Sequence, residues 1–327
     1  MTLYQGSTAL ADAEESVKTG TGQGPLRRAT ARLLRKKIAV ISLIVIIAFY
    51  TIGIAAPWIA PYGYSEQNLD ASFEGPSRDH WLGTDRNGRD TLSRNIFAAR
   101  TTVIVTMAVV ATGAVLIPLT LGMMAGYMRG ATDSAIMRVG EILASMPGLP
   151  LLVLINSSLR PRFIDGVENV EEQVGWSWMT NSNFADYFLI FFALSLFSWV
   201  GGARLIRTQT MLLSDSQFVI AARASGAGTR QILFRHILPN VMPLVILGVS
   251  TALGVIALTE IGLTFLGVGV QPPQPSFGAL ITEGAPRSVL ENHPQLLIVP
   301  ALIVASLLFA FNLLGDALND VLTPRAR

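Results

Sequence analysis

Long apolar runs alternate with short polar, arginine-bearing segments along the 327 residues, and this alternation predicts the fold class. Residues 38–60 form the first run, long enough to cross a hydrocarbon core of ~30 Å with some tilt. Runs at 101–127, 134–155, 187–203, 240–267 and 294–314 predict five more crossings. The expected architecture is an all-α polytopic membrane protein with six transmembrane helices. It divides into a polar tail (1–37), a first span (38–60), a loop on the far side (61–100), a five-helix core (101–320) and a short tail (321–327). Trp58 and Tyr62 fall at the far interface, where amphipathic rings are favoured. Gly122, Gly126 and Gly130 recur every fourth residue, which lets helix backbones approach closely in lipid. Pro147 and Pro150, within MPGLP, predict a bend in the third run.

Among the polar segments, 214–239 carries the most information: SDSQFVIAARASGAGTRQILFRHILP. Ser214 and Gln217 have capping-box spacing, so a short helix is expected to start there and carry Phe218, Val219, Ala221 and Ala222. Gly226 breaks it, and Gly226 and Gly228 permit the positive φ of a sharp reversal. A second helix, 230–238, leads to Pro239, whose missing backbone donor suits the first turn of the next span. The spacing Ala221-Ala222, Gly226, then Ile237-Leu238-Pro239 resembles the EAA loop of permease subunits of binding-protein-dependent ABC importers. In that family the loop is the coupling helix, seated in a cleft of a separate ATPase. The resemblance assigns ATPase coupling to Phe218, Ala221, Ala222, Arg223, Ser225, Gly226, Ala227, Ile237, Leu238 and Pro239. Ile220 stands where the motif has its Glu, a departure common in the oligopeptide and dipeptide branch.

Three further stretches are similar to that branch. HWLGTDRNGRDTLSR, residues 80–94, is similar to its N-terminal signature. Here Asp85, Arg86, Arg89, Asp90 and Arg94 can neutralise one another, and Gly83 and Gly88 allow tight turns. The loop either meets the cargo-delivering protein or seals the outer mouth. FLG, GVQPP and PSFG, within 260–278, and GDALNDVLTPRAR at the C-terminus complete the likeness, although Asn319 and Thr323 replace residues usually charged there. The resemblance implies a type I ABC importer permease fold, a second related permease chain, two ATP-binding subunits and an extracytoplasmic solute-binding protein. It implies peptides as cargo, with nickel complexes or sugars as alternatives within the branch.

Composition agrees with a membrane protein: 51% of residues are hydrophobic and 14% charged. A net charge of +2 gives no basis for nucleic-acid binding, and zero cysteines exclude disulfides and thiolate metal sites. His80, His236 and His293 fall in three separate segments expected to be loops, so no metal site or cofactor is expected. GTGQG in the tail neither follows a strand nor opens a helix, and no GxxxxGK[ST] occurs, so ATP hydrolysis must belong to a partner. Neither HExxH nor a nucleophile elbow is present, and an enzyme is not expected.

Six crossings put both termini on one side. Of the 24 Lys and Arg, 16 fall on that side and eight on the other. The positive-inside bias makes both tails and 214–239 cytosolic, in a cytoplasmic or inner cell membrane. On the outside, 156–186 is expected to be a loop whose Asp165, Glu168, Glu171, Glu172 and Asp186 either attract cations and basic peptides or are simply solvated. Glu141 and Glu260 are ionisable groups within predicted spans, with Asp316 nearer the cytosolic boundary. Glu260 either holds a helix contact or lines the translocation path; with Glu141, Asp85 and Arg89 it completes the candidate pathway or gate residues. An ion-gradient-driven secondary transporter is the rival, with Glu141 and Glu260 as its ion-binding acids.

Overall fold

The structure, a computed structural model, describes residues 33–175 and 183–322. Most of the N-terminal tail (1–32), residues 176–182 of the acidic segment, and 323–327 with Thr323, Arg325 and Arg327 lie outside the described residues. The helices are α1 Lys37–Ile59, α2 Thr91–Met128, α3 Gly130–Ser145, α4 Gly148–Val174 and α5 Phe184–Ser214. After the reversal come α6 Gln217–Ala224, α7 Thr229–Phe265, α8 Phe277–Gly284, α9 Arg287–Asn292 and α10 Gln295–Leu322. By length and composition α1, α2, α5, α7 and α10 can each cross a bilayer. α3 and α4, bent 90° apart at Met146 and Pro147, meet the same test only as a pair, so the spans number five, or six where this bent pair counts as one. The all-helical expectation therefore stands, six-span on the second count, and the bend lies where the two prolines place it.

Several expected boundaries are corrected, all in the same direction. α2 starts at Thr91, inside the segment taken as loop, because the Asp90 carboxylate accepts from the Ser93 N–H at 2.7 Å and caps the first turn. α5 continues past 203 to Ser214, so Arg204 and Arg207 are helical; Arg207 forms a two-pronged ion pair with Asp133 of α3. α10 runs past 314 to Leu322. The acidic segment 156–186 is not a loop up to Val174: α4 carries Asp165, Glu168, Glu171 and Glu172 on a helix that ends at Gly175, where φ is +73°, and Asp186 is buried on α5, paired with Arg160 of α4. In each case the helix ladder extends beyond the apolar stretch, since backbone hydrogen bonding does not require apolar side chains.

Close packing uses the small residues. A Cβ on Gly122 would stand 2.8 Å from the Ala203 carbonyl oxygen, and one on Gly126 would stand 2.6 Å from that of Arg207, so α2 and α5 meet backbone to backbone. Gly130 takes no part, having open space beside it and a φ of +57° in the turn to α3. Before these glycines, α2 contains a π-helical segment, Val110–Leu116, where Gly113 faces Ser195 and Ser198 of α5. One apolar cluster joins α1, α2, α7, α8 and α10 through Phe49, Val103, Phe277, Leu307 and Phe311. Another joins α2, α5, α6 and α7 through Met123, Ile206, Val219, Ile237 and Val241, and this second cluster anchors the reversal between the fourth and fifth spans.

Candidate functional site

That reversal is a short helix held at one point. Of α6, only Val219 is buried, at 0% exposure, inserted among Ile206, Ile232 and Ile237. Phe218, Ile220 and Phe234 present large apolar surfaces to the outside, 44%, 54% and 57% exposed. Ala221, Arg223, Ser225, Gly226 and Pro239 are exposed as well, Ala222, Ala227 and Leu238 are half-buried, and Ile237 is buried. The termination of α6 explains the spacing of the small residues. The Gly226 N–H donates to the Arg223 carbonyl and the Ala227 N–H to the Ala222 carbonyl, both at 3.0 Å, with Gly226 at φ +83°. This is a Schellman stop, in which a left-handed residue follows the C-cap and the residue beyond it packs on the third from the end. Ala222 and Ala227 are that packed pair in position, which is why small side chains occur at both.

Four details of the reversal differ from expectation. Ser214 does not cap α6: it is the last residue of α5 and its hydroxyl donates to the Thr210 carbonyl at 2.7 Å, while Ser216 occupies the N-cap position. The serine three residues before Gln217 was absorbed into the longer preceding helix. Gly228 has an ordinary φ of −72° and starts the next helix, so Gly226 alone makes the turn. The helix expected at 230–238 is not separate; it continues as α7, with a π-helical segment Ile232–Ile237 before Pro239. His236 is consequently helical and not in a loop.

Two contacts tie the reversal to the turn between α2 and α3. The Arg129 guanidinium donates to the Asp215 carboxylate at 2.8 Å and to the Met211 carbonyl at 3.4 Å. Arg223 lies 5.6 Å from the Tyr127 ring centroid and within 3.5 Å of its hydroxyl. The spacing within 214–239 gave no sign of either partner, because both come from a turn some 90 residues earlier.

At the opposite end of the bundle the candidate residues make a closed cluster. Asp85 accepts from the Asn87 N–H at 2.7 Å, the Arg89 N–H at 3.0 Å, the Arg89 Nε at 2.7 Å and the Arg94 Nη1 at 2.6 Å. Asp85, Arg89, Asp90 and Arg94 are all buried, 3 to 7% exposed. Asp90 meets His80 at 3.0 Å, while Arg86 stays outside, exposed. Gly83 and Gly88 have φ of +74° and +68°, as the turns require. The charge balance is not purely local, however: Glu283 of α8 accepts from Arg94 through both oxygens, at 2.5 and 3.0 Å. Glu283 has no sequence signal, since it is 189 residues from its partner.

The remaining acids stand apart. Glu260 is 0% exposed in α7, and the Thr102 hydroxyl of α2 donates to its Oε2 at 2.9 Å, leaving Oε1 without a partner. The helix contact, one of its two expected roles, is what this geometry holds. Glu141 is exposed on α3, 3.6 Å from Arg138, far in sequence and environment from Glu260. The two do not share a site. Asp316 is exposed along a groove between α7 and α10.

Comparison with known proteins bears on the whole chain. The family described as binding-protein-dependent transport system inner membrane component matches residues 119–327, and the N-terminal TM domain of oligopeptide transport permease C matches 24–76. The oligopeptide transport system permease protein OppC of Haemophilus influenzae is 36% identical over 312 residues, 94% of this chain and 90% of that protein. The glutathione transport system permease protein GsiD of Pectobacterium atrosepticum is 33% identical, covering 96% of this chain and 94% of its own. The dipeptide transport system permease protein DppC of Alkalihalophilus pseudofirmus is 30% identical, covering 94% and 92%.

Proposed function

Because this chain belongs to the binding-protein-dependent transport system inner membrane components, we propose that it forms half of the translocation pathway of an ATP-driven importer of oligopeptides or dipeptides. The other half is a second, related permease chain. Two ATP-binding subunits drive the pair from the cytosol, and an extracytoplasmic solute-binding protein delivers cargo. Both termini and the reversal around α6 face the cytosol, in keeping with the positive-inside distribution of Lys and Arg.

The observation that carries this proposal is the reversal itself: a short helix pinned by one buried valine, with Phe218, Ile220 and Phe234 exposed around it. Exposed apolar surface outside the bilayer is costly unless another protein covers it. We assign that cover to the ATPase. With Ile220 in place of an acid, the contact is apolar on this side. ATP-driven closure pulls α6, and the Val219 anchor together with the Arg129–Asp215 and Arg223–Tyr127 contacts passes the displacement to α2, α3, α5 and α7. The two cavity orientations then need be only a few kcal/mol apart for nucleotide state to select between them. Peptide as cargo rests on the names of the relatives.

Gly226→Val tests the coupling role. A Cβ at Gly226 meets nothing within 4 Å, so the substitution acts through the backbone, which a β-branched residue resists at φ +83°. Uptake is expected to be lost with membrane insertion normal. Wild-type uptake by this variant would refute the assignment.

A further inference from the structure

The charged cluster at the outer end borders a cavity of about 340 Å³ that neither the ion pairs nor the coupling function uses. Its walls come from the loop before α2, the first turns of α2, and the stretch from α8 through α9 to the start of α10. One wall is cationic. Asp85 is fully engaged by Arg89 and Arg94, and Glu283 by Arg94, so both acids are already matched. Arg86 on the cavity lining has no acidic partner among the described residues. Arg89, 7% exposed, spends its Nε on Asp85, and its Nη2 comes no nearer than 3.8 Å to Glu283. The lining therefore carries one uncompensated positive charge and guanidinium donors in excess of the acids present.

Around this wall, Thr91 Oγ1, Arg94 Nε and Asn95 Oδ1 are buried without a hydrogen-bond partner among the described residues. All three side chains line the cavity. These three atoms are closed off from solvent, so they belong to the packed wall and are not themselves contacts for a guest. Phe73, Leu280, Val289 and Leu296 supply the apolar part of the lining. Phe73 is held at φ +56°, unusual for an aromatic residue, with its ring stacked on His293 at 4.9 Å between centroids.

We propose that this cavity binds a small amphipathic carboxylate, with the carboxylate between Arg86 and Arg89 and an apolar side chain against Leu280, Val289 and Leu296. Planar guanidinium forks suit a planar carboxylate, and the cavity volume lies in the range of small-ligand sites. A short peptide presents this chemistry at its C-terminus. The assignment rests on the importer proposal for its source of ligand, and it gives the permease an outer holding site for the cargo's carboxyl end.

The test is equilibrium binding of Leu-Leu and of Leu-Leu amide to the full chain, co-expressed with its partner subunits, in lipid nanodiscs without nucleotide or binding protein. The free acid is expected to bind, and amidation to weaken it by about tenfold or more, the loss that follows from removing a charge-assisted contact. Arg86→Glu, at an exposed position, is expected to do the same, and Val289→Trp to block binding by filling the apolar side. Each variant is first shown to assemble and to keep its thermal midpoint. Absence of Leu-Leu binding, or binding indifferent to amidation and to Arg86→Glu, overturns the proposal. Peptide uptake measured in parallel separates the outcomes: if uptake proceeds while these results are negative, only the outer site is wrong.

Discussion

The charged cluster around Asp85 and the reversal around α6, at opposite ends of the bundle, are both built on tight glycine turns beside charged residues, yet they are finished differently. In the cluster, Asp85, Arg89, Asp90 and Arg94 are buried, and Glu283 closes the network from α8. Asp85 and Glu283 of that network are paired within the chain, and Arg86 beside it is left without an acidic partner among the described residues. At the reversal, Arg223 and the large apolar side chains stay exposed, and one buried valine anchors α6. The first region closes its ion pairs within one chain; the second leaves large apolar side chains exposed. Burial, more than motif content, distinguishes the two regions.

Substitutions on the two sides break this contrast in different ways. Ala222→Asp brings a charge to the half-buried position that packs in the Schellman stop. It is expected to abolish co-purification of the ATPase, with little change in the thermal midpoint of the permease itself. In the charged cluster, Asp85→Asn removes the acceptor charge shared by two buried guanidinium groups. A loss of ~3–5 kcal/mol is expected, read as a lowered thermal midpoint in detergent. Gly88→Ala is expected to cost about 2 kcal/mol, because φ is +68° and the added methyl collides with the Asn68 carbonyl. Arg129→Ala sharpens the comparison from the other side. Its pair with Asp215 is 45% and 70% exposed, so stability should change by less than about 1 kcal/mol. The expected deficit is in transport per ATP hydrolysed, measured in proteoliposomes; unchanged coupling would remove Arg129 from the transmission path.

Much of this was legible in the apolar pattern. The apolar spans, the bend at Pro147 and close helix packing at Gly122 and Gly126 follow from hydropathy and small-residue spacing, because lipid imposes those requirements directly, while the partner helix α5 and the absence of Gly130 from the contact do not. Helix ends were less legible. α2, α4, α5 and α10 run beyond their apolar stretches, where polar residues such as Thr91 or Arg204 give no hydropathy signal. At the reversal, Gly226 was readable because positive φ restricts residue type, whereas the choice between Ser214 and Ser216 was not, since both have the chemistry of a cap. Long-range partners were invisible. Glu283 and Tyr127 reach their sites only through the packing of separate spans, which no local spacing encodes.

The central claim is that the reversal around α6 faces the cytosol and is gripped by another protein. The chain has no cysteine, so Ser225→Cys places its single thiol at an exposed position on that turn. A membrane-impermeant maleimide is expected to label this thiol in inside-out vesicles and not in right-side-out ones, and bound ATPase is expected to protect it. Labelling from the outside, or cytosolic labelling that the ATPase leaves unchanged, would contradict the account.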